Sequence, residues 1–321
     1  AMTGCGGSQD PKRLLVAHGH GDWHPVHIGL SYLCDEMEKK TDYTFDVYPN
    51  GQLGDDSAMV QLVKAGVLDI AKVSAGALEQ FNPAYSIFSI PYVFQSTDHY
   101  FNVMNHSEAV QEIFQSTREA GFIAIGWFDS GARSIYTTKD GPAASPADLK
   151  GLKIRTQQSP TNVEMMRLLG GSATPMGFGE VYTALQSKVI DGAENNEMAL
   201  TDNGHGDVCK YYSYDMHQMI PDILIGNIAF LDSLPADDRA VFEEGFALVN
   251  RVEREEWTKA VENAKKRAAE EQGVQFNYPD TAPFQQACAP LHESMLEKNP
   301  DLIPIYEAIQ AYNAQYPSSG T

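Results

Sequence analysis

The clearest pattern of apolar and polar positions lies in residues 170–196, GGSATPMGFGEVYTALQSKVIDGAENN. It predicts a strand over 172–175 that stops at Pro175, then a tight entry into a helix through Gly177 and Gly179. Val181, Ala184 and Leu185 fall at i, i+3, i+4, so that helix buries one stripe. Val189 and Ile190 begin a second buried strand, and Gly192 marks a turn of the backbone. Glu194, Asn195 and Asn196 then arrive at a strand's C-terminal end. In open α/β sheets ligands bind beyond the carboxyl ends of strands, so these polar groups are the first candidates for a site.

The same reading extends along the chain. Residues 13–18 (RLLVAH) form a strand. Trp23, Val26, Leu30, Leu33, Cys34 and Met37 keep helical spacing, with Asp22 as the expected N-cap. Residues 43–48 alternate as a strand, 55–64 form a helix and 67–73 a third strand, which is a parallel α/β beginning. Two prolines in the aromatic run 81–94 predict buried irregular chain. Residues 97–120 read as one or two helices, 122–128 and 132–138 as strands, and 145–150 as a capped turn. A strand over 152–155 and a helix over 159–169, opened by Pro160, follow. Residues 210–214 and 222–230 read as extended. From 235 to 273 the only helix breaker is Gly245, and such a helix would be ~50–60 Å long. That exceeds one small domain, so it is expected to run across two. Two more helices, divided at Asn299-Pro300, occupy 281–315.

Composition narrows the function. The 321 residues, 43% of them hydrophobic, suffice for two domains with their own cores. A net charge of −20, from 43 acidic and 23 basic residues, argues against nucleic acid and against an anionic membrane face. An anionic ligand would need a local basic site within this repulsive field. No run of 18 apolar residues is present to span a membrane. The beginning, AMTGCGGSQD, resembles the tail of a bacterial lipoprotein cleavage site, with Cys5 as the lipid-bearing residue. A disordered segment over 1–10 with an incidental cysteine is the alternative. The cysteines at 5, 34, 209 and 288 match no metal spacing. Cys34 sits on a helix stripe as a small core residue, and a Cys209–Cys288 pair is open in an oxidising compartment.

Two constellations carry possible chemistry. His18, His20, His24 and His27 crowd one stretch, but their spacing matches no compact zinc motif. They read instead as a loop and first helical turn with some ligand-facing side chains. The HGHG segment is half of a dinucleotide fingerprint, with His24 where a third glycine belongs. No nucleophile elbow, phosphate loop or metalloprotease motif occurs, so no catalytic residue, cofactor or metal is assigned. Arg133 and Arg155 lie beside apolar strands, and Arg155 ends the strand LKIR. A guanidinium fork matches a carboxylate with two charge-assisted hydrogen bonds, and Asn195 adds an amide donor. Structural ion pairs with some of the many acidic residues are the competing explanation for both arginines.

The runs SPADLKGLKIR (145–155) and TPMGFGEVYTALQSKVIDGAEN (174–195) resemble the DctP-type solute-binding proteins of TRAP (tripartite ATP-independent periplasmic) transporters. So do YPNGQLGDDSAMVQLVKAGVLDIA (48–71), SIPYVF (89–94) and LDSLPADDRAVF (231–242), and the similarity runs in order over about 13–300. The resemblance implies two α/β domains with a ligand cleft between them, crossing strands and a long helix spanning both. It divides the chain into 11–130 plus 215–250 and 131–214 plus 251–321. It implies a periplasmic, monomeric protein that closes on an organic acid and delivers it to membrane permease subunits driven by an ion gradient. It puts Arg155 on the ligand carboxylate, with Asn195 and Arg133 assisting and the Phe178 ring packed on the ligand.

One departure bears on the ligand. Sialic-acid binders of this family carry an acidic residue and an arginine where this chain has Ser74 and Ala77, and Gly19 replaces an amide-bearing residue. With Gly76 this predicts a small, weakly polar wall, against which sugar hydroxyls would go unpaired. His18, His20, Trp23 and Phe178 would surround an apolar or aromatic tail, whereas Trp127 reads as core. The favoured ligand is therefore a monocarboxylate with a compact apolar or aromatic group; a uronate or other sugar acid is the alternative. A ligand-presenting receptor for a sensor protein needs the same clamp, and a cleft enzyme is the third class.

Overall fold

The computed structural model describes residues 12–315; Cys5 lies outside the described residues. Eleven strands form two sheets among them. In chain order they are β1 (Arg13–Ala17), β2 (Thr44–Tyr48), β3 (Ile70–Ser74), β4 (Phe122–Phe128), β5 (Arg133–Thr137) and β6 (Lys153–Thr156). They continue with β7 (Ser172–Pro175), β8 (Gly192–Asn195), β9 (Tyr211–Gln218), β10 (Asp222–Asn227) and β11 (Gln275–Asn277). The first sheet has the order β2-β1-β3-β10-β4, with β1 parallel to β2 and β3 and with β10 antiparallel to its neighbours. The second has the order β11-β9-β5-β8-β6-β7. Two short segments, 129–132 and 219–221, carry the chain between the sheets. The expected two-domain α/β architecture is therefore present.

The long helix, Ala236–Glu271, spans both halves, as the unbroken pattern predicted. Its N-terminal part packs Phe242, Phe246 and Val249 with Leu30, Leu33 and Met37 of helix Pro25–Lys40. Gly245 permits that approach, because a Cβ there would lie 2.6 Å from Met37 Cε. Its C-terminal part contributes Ala264 beside Met198, and Ala268 beside Leu200 and Tyr212. Between them the helix grips the first crossing. Asn250 Nδ2 donates to the Trp127 carbonyl (2.9 Å), and Glu253 Oε2 accepts from the Asp129 N–H (3.0 Å). The Trp257 ring covers Gly131, whose φ of +63° suits glycine. Burial, reinforced by Asp129, pushes Glu253 well above the usual carboxylate range.

Several local expectations are corrected. Helix Pro25–Lys40 is capped by His24, whose Nδ1 accepts from Val26 N (3.2 Å), and not by Asp22. Pro25 sets this start, since proline suits a first helical position and holds the preceding residue extended. Extension ends at Asn227 instead of reaching 230, because the Asn227 side chain accepts from Phe230 N (2.9 Å) and opens helix Ile228–Ser233. Val189 is exposed, and the chain reverses at Lys188, with φ +61°. The buried strand therefore begins only at Gly192. Cys209 and Cys288 are free, buried thiols, each pushed up to about 12 by burial.

Gly192 is needed for close approach and not for a turn. A Cβ there would lie 2.5 Å from the Tyr136 carbonyl oxygen across the β5–β8 pair. Gly192→Ala is expected to lower stability by about 1–3 kcal/mol in thermal or urea unfolding. Gly179→Ala, where nothing lies within 4 Å, is expected to change it by less than ~0.5 kcal/mol.

Candidate functional site

A cavity of about 520 Å³ lies between the two sheets. The first sheet and its loops supply Gly19, His20, Lys72, Ser74 and Asp222; the second supplies Arg133, Arg155, Phe178 and Asn195. The halves also touch directly beside it. Gln157 Nε2 donates to Ser74 Oγ (2.9 Å), Gln80 Nε2 to the Gln158 carbonyl (2.7 Å), and Ser159 and Thr161 hydroxyls to Glu79 (2.8 and 2.9 Å).

The two arginines differ in one decisive respect. Arg133 is neutralised: Nε lies 2.6 Å from Glu194 Oε2 and Nη2 2.9 Å from Oε1, with both side chains buried. Glu194 also accepts from His217 Nε2 (2.9 Å), and His217 Nδ1 meets Asp215 (2.6 Å). Burial opposes charge at Glu194, yet Arg133 and His217 hold its carboxyl at about 2. Burial likewise opposes charge at His217, but Asp215 and Glu194 raise it to about 9. Arg155 is equally buried and has no ion-pair partner among the described residues. Nε and Nη2 donate only to the Met176 carbonyl (3.1 and 2.9 Å). Burial, and then the charge of Arg133, pull its pKa down to about 10. At neutral pH it remains a buried cation without an anion, at a cavity wall.

The groups around it fit a clamp. Phe178 enters from the turn after β7, 5.6 Å from the Arg155 guanidinium and edge-on to His20 at 6.1 Å. Asn195 ends β8; its Oδ1 accepts from Asn196 N (2.8 Å) and Arg133 Nη1 (3.4 Å). Its Nδ2 therefore remains a donor for the cavity. Asn195 stands where the strand-end argument expected it, and Phe178 where the resemblance implied it.

Two sequence candidates do not line the cavity. His18 is fully buried, with Nε2 against His27 Nδ1 (2.9 Å) and Nδ1 accepting from His20 N (3.1 Å). It braces the loop that presents His20. Trp23 is 58% exposed and lies against Gly21. The stretch thus sends His20 and His24 to the cavity, stacked on each other with ring centroids 3.8 Å apart. Trp127 is buried, donating through Nε1 to Asn105 (3.1 Å).

The wall predicted to be weakly polar is instead strongly polar. Lys72 crosses to Asp222 at 3.0 Å, and Asn50, Asp56, Gln157 and Asn196 line the same space. An apolar tail there would strip water from the charged Lys72, Asp222 and Asp56 without replacing it. The missed residue with the clearest signal was Lys72, a single charge inside the apolar strand IAKVS.

The bacterial extracellular solute-binding protein family 7 (DctP) matches residues 16–299. A Salmonella typhimurium (strain LT2) protein, the uncharacterized YiiZ, is 41% identical over 288 residues, covering 89% of this chain and 88% of that one. A TRAP periplasmic solute-binding protein from Anaerococcus prevotii, solved with bound α/β-D-glucuronate, is 55% identical at a TM-score of 0.93, covering 96% of this chain and 100% of that one. One from Chromohalobacter salexigens, solved with bound D-glucuronate, is 31% identical at a TM-score of 0.89, covering 93% and 99%. The chain therefore belongs to the DctP family, the solute-binding proteins of TRAP transporters.

Proposed function

We propose that this protein captures a hexuronate, of the D-glucuronate or D-galacturonate kind, in the periplasm and delivers it to TRAP membrane permease subunits. The unmatched charge of Arg155 carries the proposal: it is a buried cation whose natural complement is a ligand carboxylate. Asn195 Nδ2 and the neutralised Arg133 assist, and the Phe178 ring packs on the sugar. The polar remainder of the cavity supports a sugar acid over the monocarboxylate with an apolar tail. The glucuronate held by relatives such as that of Anaerococcus prevotii supports the same choice. The moving bodies are the halves built on the two sheets, divided at the crossings and within the long helix; the division expected at 214/215 falls inside β9, whose Gln218 still pairs with Arg133 in the second sheet. The halves rotate about the crossings at 129–132 and 219–221. The protein acts as a monomer, and its task is binding and release.

Arg155→Ala is expected to weaken D-glucuronate binding at least ~100-fold in calorimetry, consistent with the ~2–5 kcal/mol lost when one member of a buried charge pair is removed. Unchanged affinity in a folded variant would sink the assignment. In a thermal-shift panel, saturating D-glucuronate or D-galacturonate is expected to raise the unfolding midpoint by about 5 °C or more. Benzoate and hexanoate are expected to shift it far less; the reverse order would restore the apolar-tail ligand.

A further inference from the structure

Capture of a carboxylate on Arg155 leaves one buried feature of the cavity without a role. Lys72 interrupts the apolar run of β3, and Asp222 opens β10, so both charges sit on the first sheet. Their side chains are 4% and 6% exposed, and both line the cavity. As a core element the pair is a poor choice, since apolar residues of similar volume stabilise at least as well as a buried ion pair. As a recognition element it is complete. Lys72 Nζ donates to Asp222 Oδ2 (3.0 Å) and to His20 Nε2 (2.8 Å). An ammonium carries three donors and no acceptor, so His20 accepts through Nε2 as a neutral ring. The third ammonium N–H and Asp222 Oδ1 have no protein partner among the described residues. A donor and an acceptor therefore stand side by side, with no net charge between them.

That combination suits hydroxyl groups, which donate and accept at once, and disfavours a carboxylate, which Asp222 would repel. We infer that Lys72 and Asp222 are the specificity-determining pair of the cavity, reading adjacent hydroxyls of the sugar acid from the first-sheet wall. The carboxylate meanwhile goes to Arg155 on the second-sheet wall, so the two walls together fix which way round the ligand lies. This rests on the uronate reading above and extends it.

The test is calorimetry of D-glucuronate and its monodeoxy derivatives with three proteins: wild type, Lys72→Met, and the double variant Lys72→Met/Asp222→Leu. In wild type, deleting either of two adjacent hydroxyls is expected to weaken binding about 10–100-fold, the range for hydrogen bonds to charged groups. In the double variant that loss should shrink to within about 3-fold for both hydroxyls, and in Lys72→Met for at least the one that Lys72 reads, because the partner has already gone. Deleting other hydroxyls should weaken all three proteins alike. If every deoxygenation weakens the variants as much as wild type, the pair is structural and the inference is overturned. The double variant replaces the whole ion pair with apolar volume and decides the matter should Lys72→Met alone not fold. Wild-type protein that binds no uronate overturns the capture reading itself, and this inference with it.

Discussion

Everything around the cavity depends on a difference in charge compensation between two neighbouring arginines. Arg133 spends its charge on Glu194, which His217 and Asp215 support from behind. Arg155 has no ion pair among the described residues and leans on one backbone carbonyl. The paired arginine also repels the unpaired one, a repulsion that an anion beside them would relieve. In a chain of net charge −20, Arg155 offers an anion one cation without an ion pair, in a cavity that also holds Asp55, Asp56, Glu180 and Asp222. A small anion entering the cavity gains most where water is excluded, and that differential gain is what can shift a two-body protein toward its closed form.

The same logic accounts for the rest of the wall. A second uncompensated cation would offer the ligand two places for its carboxylate and no fixed orientation. Asp222 removes that ambiguity at Lys72, as Glu194 does at Arg133. The polar residues that remain include the neutral amides Asn50, Gln157 and Asn196, and also the carboxylates Asp55, Asp56 and Glu180.

How far the sequence led can be traced residue by residue. Asn195 and Arg155 were candidates because they occupy strand ends, where topology directs side chains to a crevice, but spacing left Arg155 level with a structural ion pair and only the family resemblance pointed to Phe178. The long helix was legible because between 235 and 273 only Gly245 weakens a helical pattern. The histidine loop was not, because loop side chains lack a period: His20 faces the cavity while His18 turns into the interior and Trp23 to solvent. Lys72 was missed for a different reason. A fully buried strand has no solvent face to set its phase, so the pattern cannot show which residues meet a ligand and which meet the core. Gly192 was read as a turn because the approach of Tyr136 from another strand leaves no trace in local spacing.

The grip of the long helix on the first crossing has a mechanical consequence. Asn250 holds the chain just before the crossing, at Trp127, while Glu253 and, one turn further on, Trp257 bear on Asp129 and Gly131 inside it. Two helical turns thus hold one crossing at its start and within it. Rotation about the crossings cannot leave those turns undisturbed: they must flex, or their contacts must slide. A closure driven by ligand would load them like a leaf spring. Their recoil would favour reopening once the ligand has left, with no separate device to return the protein to its receptive shape.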